Sequence, residues 1–194
     1  MSKLKYSSLV FVSSNKQKHY EYCALLGLSD LKLSEIKVIE PQSMNLHFLV
    51  EDKIKRVRPQ LPGIPFFVEH TGLLIDAWKG LPGGLIGLFM DTVGNEGICK
   101  MMRAYKGSER VARARVVIGY SQPDGSICTF QGEVTGAIAP EPRGTSGFGW
   151  DPIFIPEGNT KTYAEMTLAE KNLTSMREDA VDRFAKFLAR HFEL

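Results

Sequence analysis

Two long strand-like runs joined by Gln122-Pro123-Asp124-Gly125 constrain this chain more than any other feature. Val111 to Tyr120 and Ser126 to Val134 carry the strand pattern, and Pro-Asp-Gly between two such runs is a strong hairpin signal. Helix and strand patterns alternate before the hairpin. Ser8 to Ser13 reads as a buried strand, followed by a helix from about Asn15 to Leu26. Lys37 to Ile39 reads as a short strand. Leu46, Leu49, Val50, Ile54 and Val57 fall at helical spacing, so a helix is expected over Leu46 to Arg58, ended by Pro59, Pro62 and Gly63. Ile64 to Val68 is the next buried strand, and Val93 to Tyr105 reads as a helix. A last helix over Thr174 to Phe192 buries Ala180, Val181, Phe184, Phe187 and Leu188. Alternation followed by a hairpin predicts an α/β fold. Its expected form is a twisted mixed β-sheet flanked by helices, with a central cleft between two lobes.

Composition narrows the class. At 194 residues the chain fits one domain spanning residues 1–194. A net charge of +2 gives no bulk drive toward nucleic acid or an anionic membrane, so any phosphate binding must come from local clusters. The run Leu9 to Val12 is too short for a signal segment, and no stretch approaches the roughly 20 apolar residues of a membrane span. Cys23, Cys99 and Cys128 are scattered, which reads as reduced thiols in a cytoplasmic protein rather than a disulfide framework or zinc site.

Chemistry concentrates in five places. Gly144-Thr145-Ser146-Gly147-Phe148-Gly149-Trp150-Asp151 sets aromatics and an acid in a backbone that breaks any regular element. Such a loop lets a ligand approach the main chain, and it also serves as a plain turn with packed aromatics. Ser13-Ser14-Asn15-Lys16-Gln17-Lys18 follows the first strand. Free N–H groups at a strand-to-helix junction bind anions, although Ser or Asn there is also an ordinary helix cap. Glu40, just past the short strand, and Lys53, on the next helix, offer a carboxylate and an ammonium; both residue types are also ordinary at a surface. Glu69-His70-Thr71 places an acid and an imidazole at the expected carboxyl end of a strand, where α/β sheets locate their chemistry. Lys171-Asn172-Leu173-Thr174-Ser175-Met176-Arg177 enters the last helix.

These stretches resemble the inosine triphosphate pyrophosphatase family, which clears noncanonical purine nucleoside triphosphates. Ser13, Asn15 and Lys18 match its triphosphate-gripping Thr-Gly-Asn-x-x-Lys. Glu40-Pro41-Gln42 matches its metal-binding acid two before a Gln, and Lys53 its helical phosphate-reaching Lys. Gly80-Leu81-Pro82-Gly83 matches a pocket-shaping turn, and Tyr163-Ala164-Glu165-Met166 is a further specific match. The resemblance spans Val10 to Ala180. It implies Phe148, Gly149, Trp150 and Asp151 as the wall on the base and sugar side. Thr71, Lys171, Ser175 and Arg177 complete the substrate set, with Arg177 reading the base edge. It further implies Mg²⁺ held by Glu40, Glu69 and position 70, a nucleoside triphosphate substrate and a homodimer.

Three departures fall at functional positions. His70 stands where the family has a metal-binding, water-activating Asp. Imidazole suits Mn²⁺ or another transition metal better than Mg²⁺, yet its pKa suits a general base. The run Leu85-Ile86-Gly87-Leu88-Phe89 lacks the family's basic residue. Met176 replaces a His that pairs with the Arg to recognise a 6-oxo group, and a thioether cannot donate a hydrogen bond. The expected activity is cleavage of the α–β phosphoanhydride, with Glu69 and His70 at the catalytic centre. A nucleotide-binding regulator that has lost hydrolysis and a structural partner using the family dimer surface are the alternatives.

Overall fold

The computed structural model describes residues 4–5 and 8–193. Strands β1 (Leu4–Lys5) and β9 (Phe192–Glu193) form a small parallel pair. The main sheet has seven strands: β2 (Val10–Val12), β3 (Lys32–Ser34), β4 (Phe66–Ile75), β5 (Pro82–Gly83), β6 (Val111–Ser121), β7 (Ile127–Ile138) and β8 (Phe154–Pro156). Their order is β3-β2-β4-β6-β7-β8, with β5 on the edge of β4. Helix α1 (Lys16–Leu26) links β2 to β3, and α2 (Leu46–Val57) links β3 to β4. Such crossovers make β3, β2 and β4 parallel. The Pro123-Asp124-Gly125 turn makes β6 and β7 antiparallel over eleven paired positions. The sheet is therefore mixed, as expected.

Alternation along the strands divides the core in two. Leu46, Val50, Ile54 and Val57 of α2 cover Val10, Val12, Val68 and Val117 on one face. On the other, α1 and α6 (Met176–His191) cover Phe11, Phe67 and Tyr120 through Tyr22, Phe184 and Leu188. Phe11 stacks on Phe67 at 4.6 Å between ring centroids, and Phe184 lies 5.1 Å from Phe67. Gly132 of β7 permits the start of α6 to press close, since a Cβ there would overlap the backbone of Met176.

Several boundaries differ from expectation. The short strand is Lys32–Ser34, not Lys37 to Ile39. Only the three residues of β2 offer a ladder, and Lys32 to Ser34 occupy it; Ile39 is 84% exposed. The strand expected over Ile64 to Val68 runs from Phe66 to Ile75. Its polar centre stays extended because β6 pairs with it at every position, from Phe66 opposite Ser121 to Ile75 opposite Ala112. The helix expected over Val93 to Tyr105 is α4 (Gly94–Met101), which follows a separate α3 (Ile86–Thr92). Gly94, at φ +62°, breaks the two apart. A short helix α5 (Leu168–Leu173), not expected, precedes α6, so α6 begins at Met176. No helix of the described residues is long and apolar enough to cross a membrane.

Candidate functional site

The site begins where β2 stops. Its parallel pairing with β4 is recorded at Phe66 and Phe67, and β5 pairs that same edge again only from Leu73. Between them, Glu69 to Gly72 leave one edge of β4 without a neighbouring strand among the described residues. Glu69 and His70 are therefore mid-strand, not at a strand's carboxyl end as expected. The carboxyl end that opens the site belongs to β2, in accord with the general placement of α/β sites. Being consecutive in a strand, the two side chains face opposite sides of the sheet.

On the Glu69 side lies a cleft of about 230 Å³, lined by Asn15, Lys18, Thr71, Phe148, Gly149, Trp150, Asp151, Met176 and Arg177. Ile86, Gly87, Met90 and Asp91 of α3 complete it. Beneath is a charge network. Arg177, 2% exposed, grips both Glu69 oxygens through Nε and Nη2 at 3.0 Å. Its Nη1 donates to Glu21 at 2.8 Å. Lys18 Nζ lies 2.8 Å from Glu69, whose other oxygen accepts from the Tyr22 hydroxyl at 2.8 Å. Lys171 donates to Glu21 at 2.9 Å and to Asp151 at 2.6 Å. Three carboxylates (Glu21, Glu69, Asp151) thus meet three cations (Lys18, Lys171, Arg177). Such balance is what burying charge requires. Burial pushes the Glu69 carboxyl up, but Arg177 and Lys18 outweigh it and hold it far below the usual range. At Asp151 burial wins over Lys171, and its carboxyl is raised.

The glycine-rich loop is tied to this network from above. Asp151 accepts the Phe148 N–H at 2.9 Å. Gly147, at φ +74°, passes so close that a Cβ would overlap the Asp151 carboxylate. The Phe148 ring lies 4.7 Å from Lys171 Nζ and 5.5 Å from the Arg177 guanidinium carbon. It thus covers two cations and faces the cleft. Trp150 is 6% exposed, packed against Phe154 and Tyr163, and borders the cleft. The Gly149 carbonyl accepts from Asn95 Nδ2 at 2.9 Å.

The caps sit at the rim. Asn15 caps α1 by accepting the Lys18 N–H at 3.0 Å, and Ser13 Oγ accepts the Asn15 N–H at 3.1 Å. Ser175 Oγ accepts the Arg177 N–H at 3.1 Å and donates to Met176 Sδ at 3.8 Å. Ser13 and Ser175 thus shape helix starts, and neither is among the cleft-lining residues.

On the other side of β4, Glu40, Lys53 and His70 converge. Lys53 Nζ donates to Glu40 Oε1 at 2.6 Å, and Glu40 Oε2 lies 3.8 Å from His70 Nδ1. His70 Nε2 sits 3.0 Å from the Gly84 carbonyl. A carbonyl only accepts, so Nε2 carries the proton and Nδ1 presents a lone pair toward Glu40. Burial lowers the His70 pKa below its usual value, helped by Lys18 and Lys53, so the ring is neutral at neutral pH. Burial raises the Glu40 carboxyl, but Lys53 and His70 bring the net shift down. Lys18 acts on His70 and Glu40 as well as on Glu69, so it stands between the two clusters. Among the described residues no three His, Cys, Asp or Glu side chains converge as a metal-binding group.

Sequence reasoning missed Glu21, Tyr22, Met90 and Asp91. Glu21 and Tyr22 stand three and four residues after Lys18, on one helix face, and that spacing was the available signal. Met90 and Asp91 had none, because α3 was not expected as a helix.

The Ham1 family model matches residues 9–187. The chain is 38% identical over 181 residues to the dITP/XTP pyrophosphatase of Methanopyrus kandleri, covering 92% of this chain and 95% of that one. It is also 38% identical over 186 residues to the inosine triphosphate pyrophosphatase of Tuber melanosporum, covering 95% and 98%. The solved HAM1 protein of Coxiella burnetii superimposes with a TM-score of 0.77 at 28% identity, over 94% of this chain and 98% of that one. With fold and sequence in agreement along most of its length, this chain belongs to the Ham1 family.

Proposed function

We propose that this protein hydrolyses noncanonical purine nucleoside triphosphates, of the ITP, dITP and XTP class, to the nucleoside monophosphate and pyrophosphate. The observation that carries it is Lys18, standing at the unpaired edge of β4 between the cleft and the Glu40–Lys53–His70 cluster. A nucleotide fits that geometry with its base against Phe148 and its phosphates crossing the edge toward Lys53. The names of the relatives in Methanopyrus kandleri and Tuber melanosporum support the same reading.

In this reading His70 Nδ1 accepts a proton from water as its oxygen bonds to the α-phosphorus. The bond from that phosphorus to the α–β bridging oxygen breaks, and pyrophosphate leaves. Lys18 and Lys53 offset the charge of the phosphates, so the residues act by positioning and electrostatics. The Gly84 carbonyl holds the ring in the tautomer that leaves Nδ1 free. Glu40, 36% exposed at its side chain, fits a divalent cation, because Mg²⁺ is commonly held by one or two carboxylates plus substrate phosphates and water. Such an ion would polarise phosphate oxygens, while Nδ1 of His70 is kept for the proton. Glu69 is assigned instead to orienting Lys18 and Arg177, since its oxygens already receive Arg177, Lys18 and Tyr22.

Product analysis with Mg²⁺ and with Mn²⁺ tests this. Monophosphate and pyrophosphate are expected in equal amounts, with loss of turnover in excess chelator. Release of orthophosphate, or no product from any triphosphate with either metal, refutes it. A cytoplasmic homodimer belongs to the same proposal. Sedimentation at twice the chain mass of 21.7 kDa is expected, and a monomer at working concentration removes that part.

A further inference from the structure

Apart from Asp91 and Arg177, the cleft wall contributed by α3 and the start of α6 is apolar: Ile86, Gly87, Met90 and Met176. Met176 is buried at its floor, and its sulfur already receives the Ser175 hydroxyl. Gly87 and Met90, three residues apart on α3, line the same cleft. A side chain begun at Gly87 would meet nothing within 4 Å, so open space lies beside it. Arg177 has Nε, Nη1 and Nη2 each turned to Glu69 or Glu21.

From this wall we propose that the protein prefers purine triphosphates whose base carries an alkyl group on the edge facing Met176 and Gly87, such as an N6-methylated or O6-methylated purine. The proposal rests on the nucleotide reading above and names its substrate class. A carbonyl on that edge would lose its water without gaining a donor from Met176, Met90 or Gly87, a cost of about tenfold in affinity. A methyl group there is removed from water against two thioethers and enters the space beside Gly87, a gain of about fourfold. The two effects act in the same direction, so discrimination over an oxo-purine reaches about tenfold or more.

The test compares kcat/KM for ITP, XTP, ATP, N6-methyl-ATP and O6-methyl-GTP. The alkylated substrates are expected to exceed ITP by about tenfold. Met176→His supplies a donor and should cut that ratio by about tenfold; Gly87→Leu fills the space and should also lower it. Both variants are checked for native melting, and either one alone suffices. ITP equal to or better than the alkylated substrates in the natural protein, or a ratio indifferent to both substitutions, overturns the proposal. Calorimetry with N6-methyl-AMP and IMP keeps the two readings apart. Tighter binding of the methylated monophosphate without pyrophosphate release from any triphosphate sinks the hydrolysis reading and sustains the pocket. Equal binding sinks the pocket, whatever is hydrolysed.

Discussion

The two faces of β4 hold neighbouring titratable residues that live under opposite conditions. Glu69 is buried, with both oxygens held by Arg177 and further donors from Lys18 and Tyr22. His70, one residue on, keeps a ring nitrogen without a proton near a half-exposed Glu40. The first face is saturated: each charge has its complement, and changing one leaves another stranded. The second keeps capacity in reserve. Acids and bases that hold a fold together and those that perform chemistry are thus told apart by how many partners they already have. Residue type does not separate them.

The sharpest way to break that comparison is to strand a charge. Arg177→Ala leaves Glu69 and Glu21 buried against fewer cations, and removing one partner of a buried pair typically costs about 3–5 kcal/mol. Urea unfolding should show a loss of that size. A loss below about 1 kcal/mol would mean that the network relaxes or admits water, and the saturated face would lose its meaning.

His70→Ala should do the reverse. It should leave the urea midpoint nearly unchanged while lowering kcat about 100-fold or more, the usual worth of a general base. In the natural protein kcat should fall at acid pH with an inflection below about 6.5, because burial depresses this imidazole. His70→Asp should move that inflection toward about 4. Full activity in the Ala variant, or an unmoved inflection in the Asp variant, removes His70 from the chemistry.

Lys53 sharpens the contrast on a smaller scale. Lys53→Ala should raise KM for a triphosphate several-fold and change the inhibition constant of the monophosphate product less. The ammonium stands at the Glu40 cluster, away from the cleft-lining residues. Equal changes for both ligands would make it plain surface charge.

The smallest effect is in stability against pH. The folded Glu69 value lies below its unfolded one, so its stabilisation is present above about 4.3 and lost as pH falls. The folded His70 value is also depressed. Below about 6.5 the unfolded ring takes up a proton that the folded ring resists, so stability declines there too. Melting temperatures should show two acid-side declines, and His70→Gln should erase only the one nearer neutrality. A single decline unaffected by that change would contradict the environment assigned to His70.

Much was legible before any coordinates. Periodicity placed α2 within one residue at its end, because a helix over a sheet must repeat its apolar face. The Pro123-Asp124-Gly125 turn announced the hairpin, since turn chemistry is local. The motif residues Asn15, Lys18, Phe148, Asp151, Met176 and Arg177 do come together around one cleft. What stayed hidden was pairing. Nothing within Ile64 to Ile75 says that β6 will hold its polar centre extended, because the partners of Glu69, His70 and Thr71 are Ile118, Val117 and Val116, far along the chain. The spacing within Lys16 to Leu26 sets Glu21 on the face of Lys18 but says nothing of Lys171 and Arg177, which it bridges from far along the chain.

Local chemistry therefore determined α1, α2, the hairpin turn and the identity of the reactive groups, through propensities that act within a few residues. Only the tertiary structure decided which charges are saturated and which remain available. Hydrogen-bond partnership and burial depend on neighbours that come from far along the chain. Glu69 and His70 are adjacent in sequence, but the alternation of a strand sends them to different faces, and those faces assign their work.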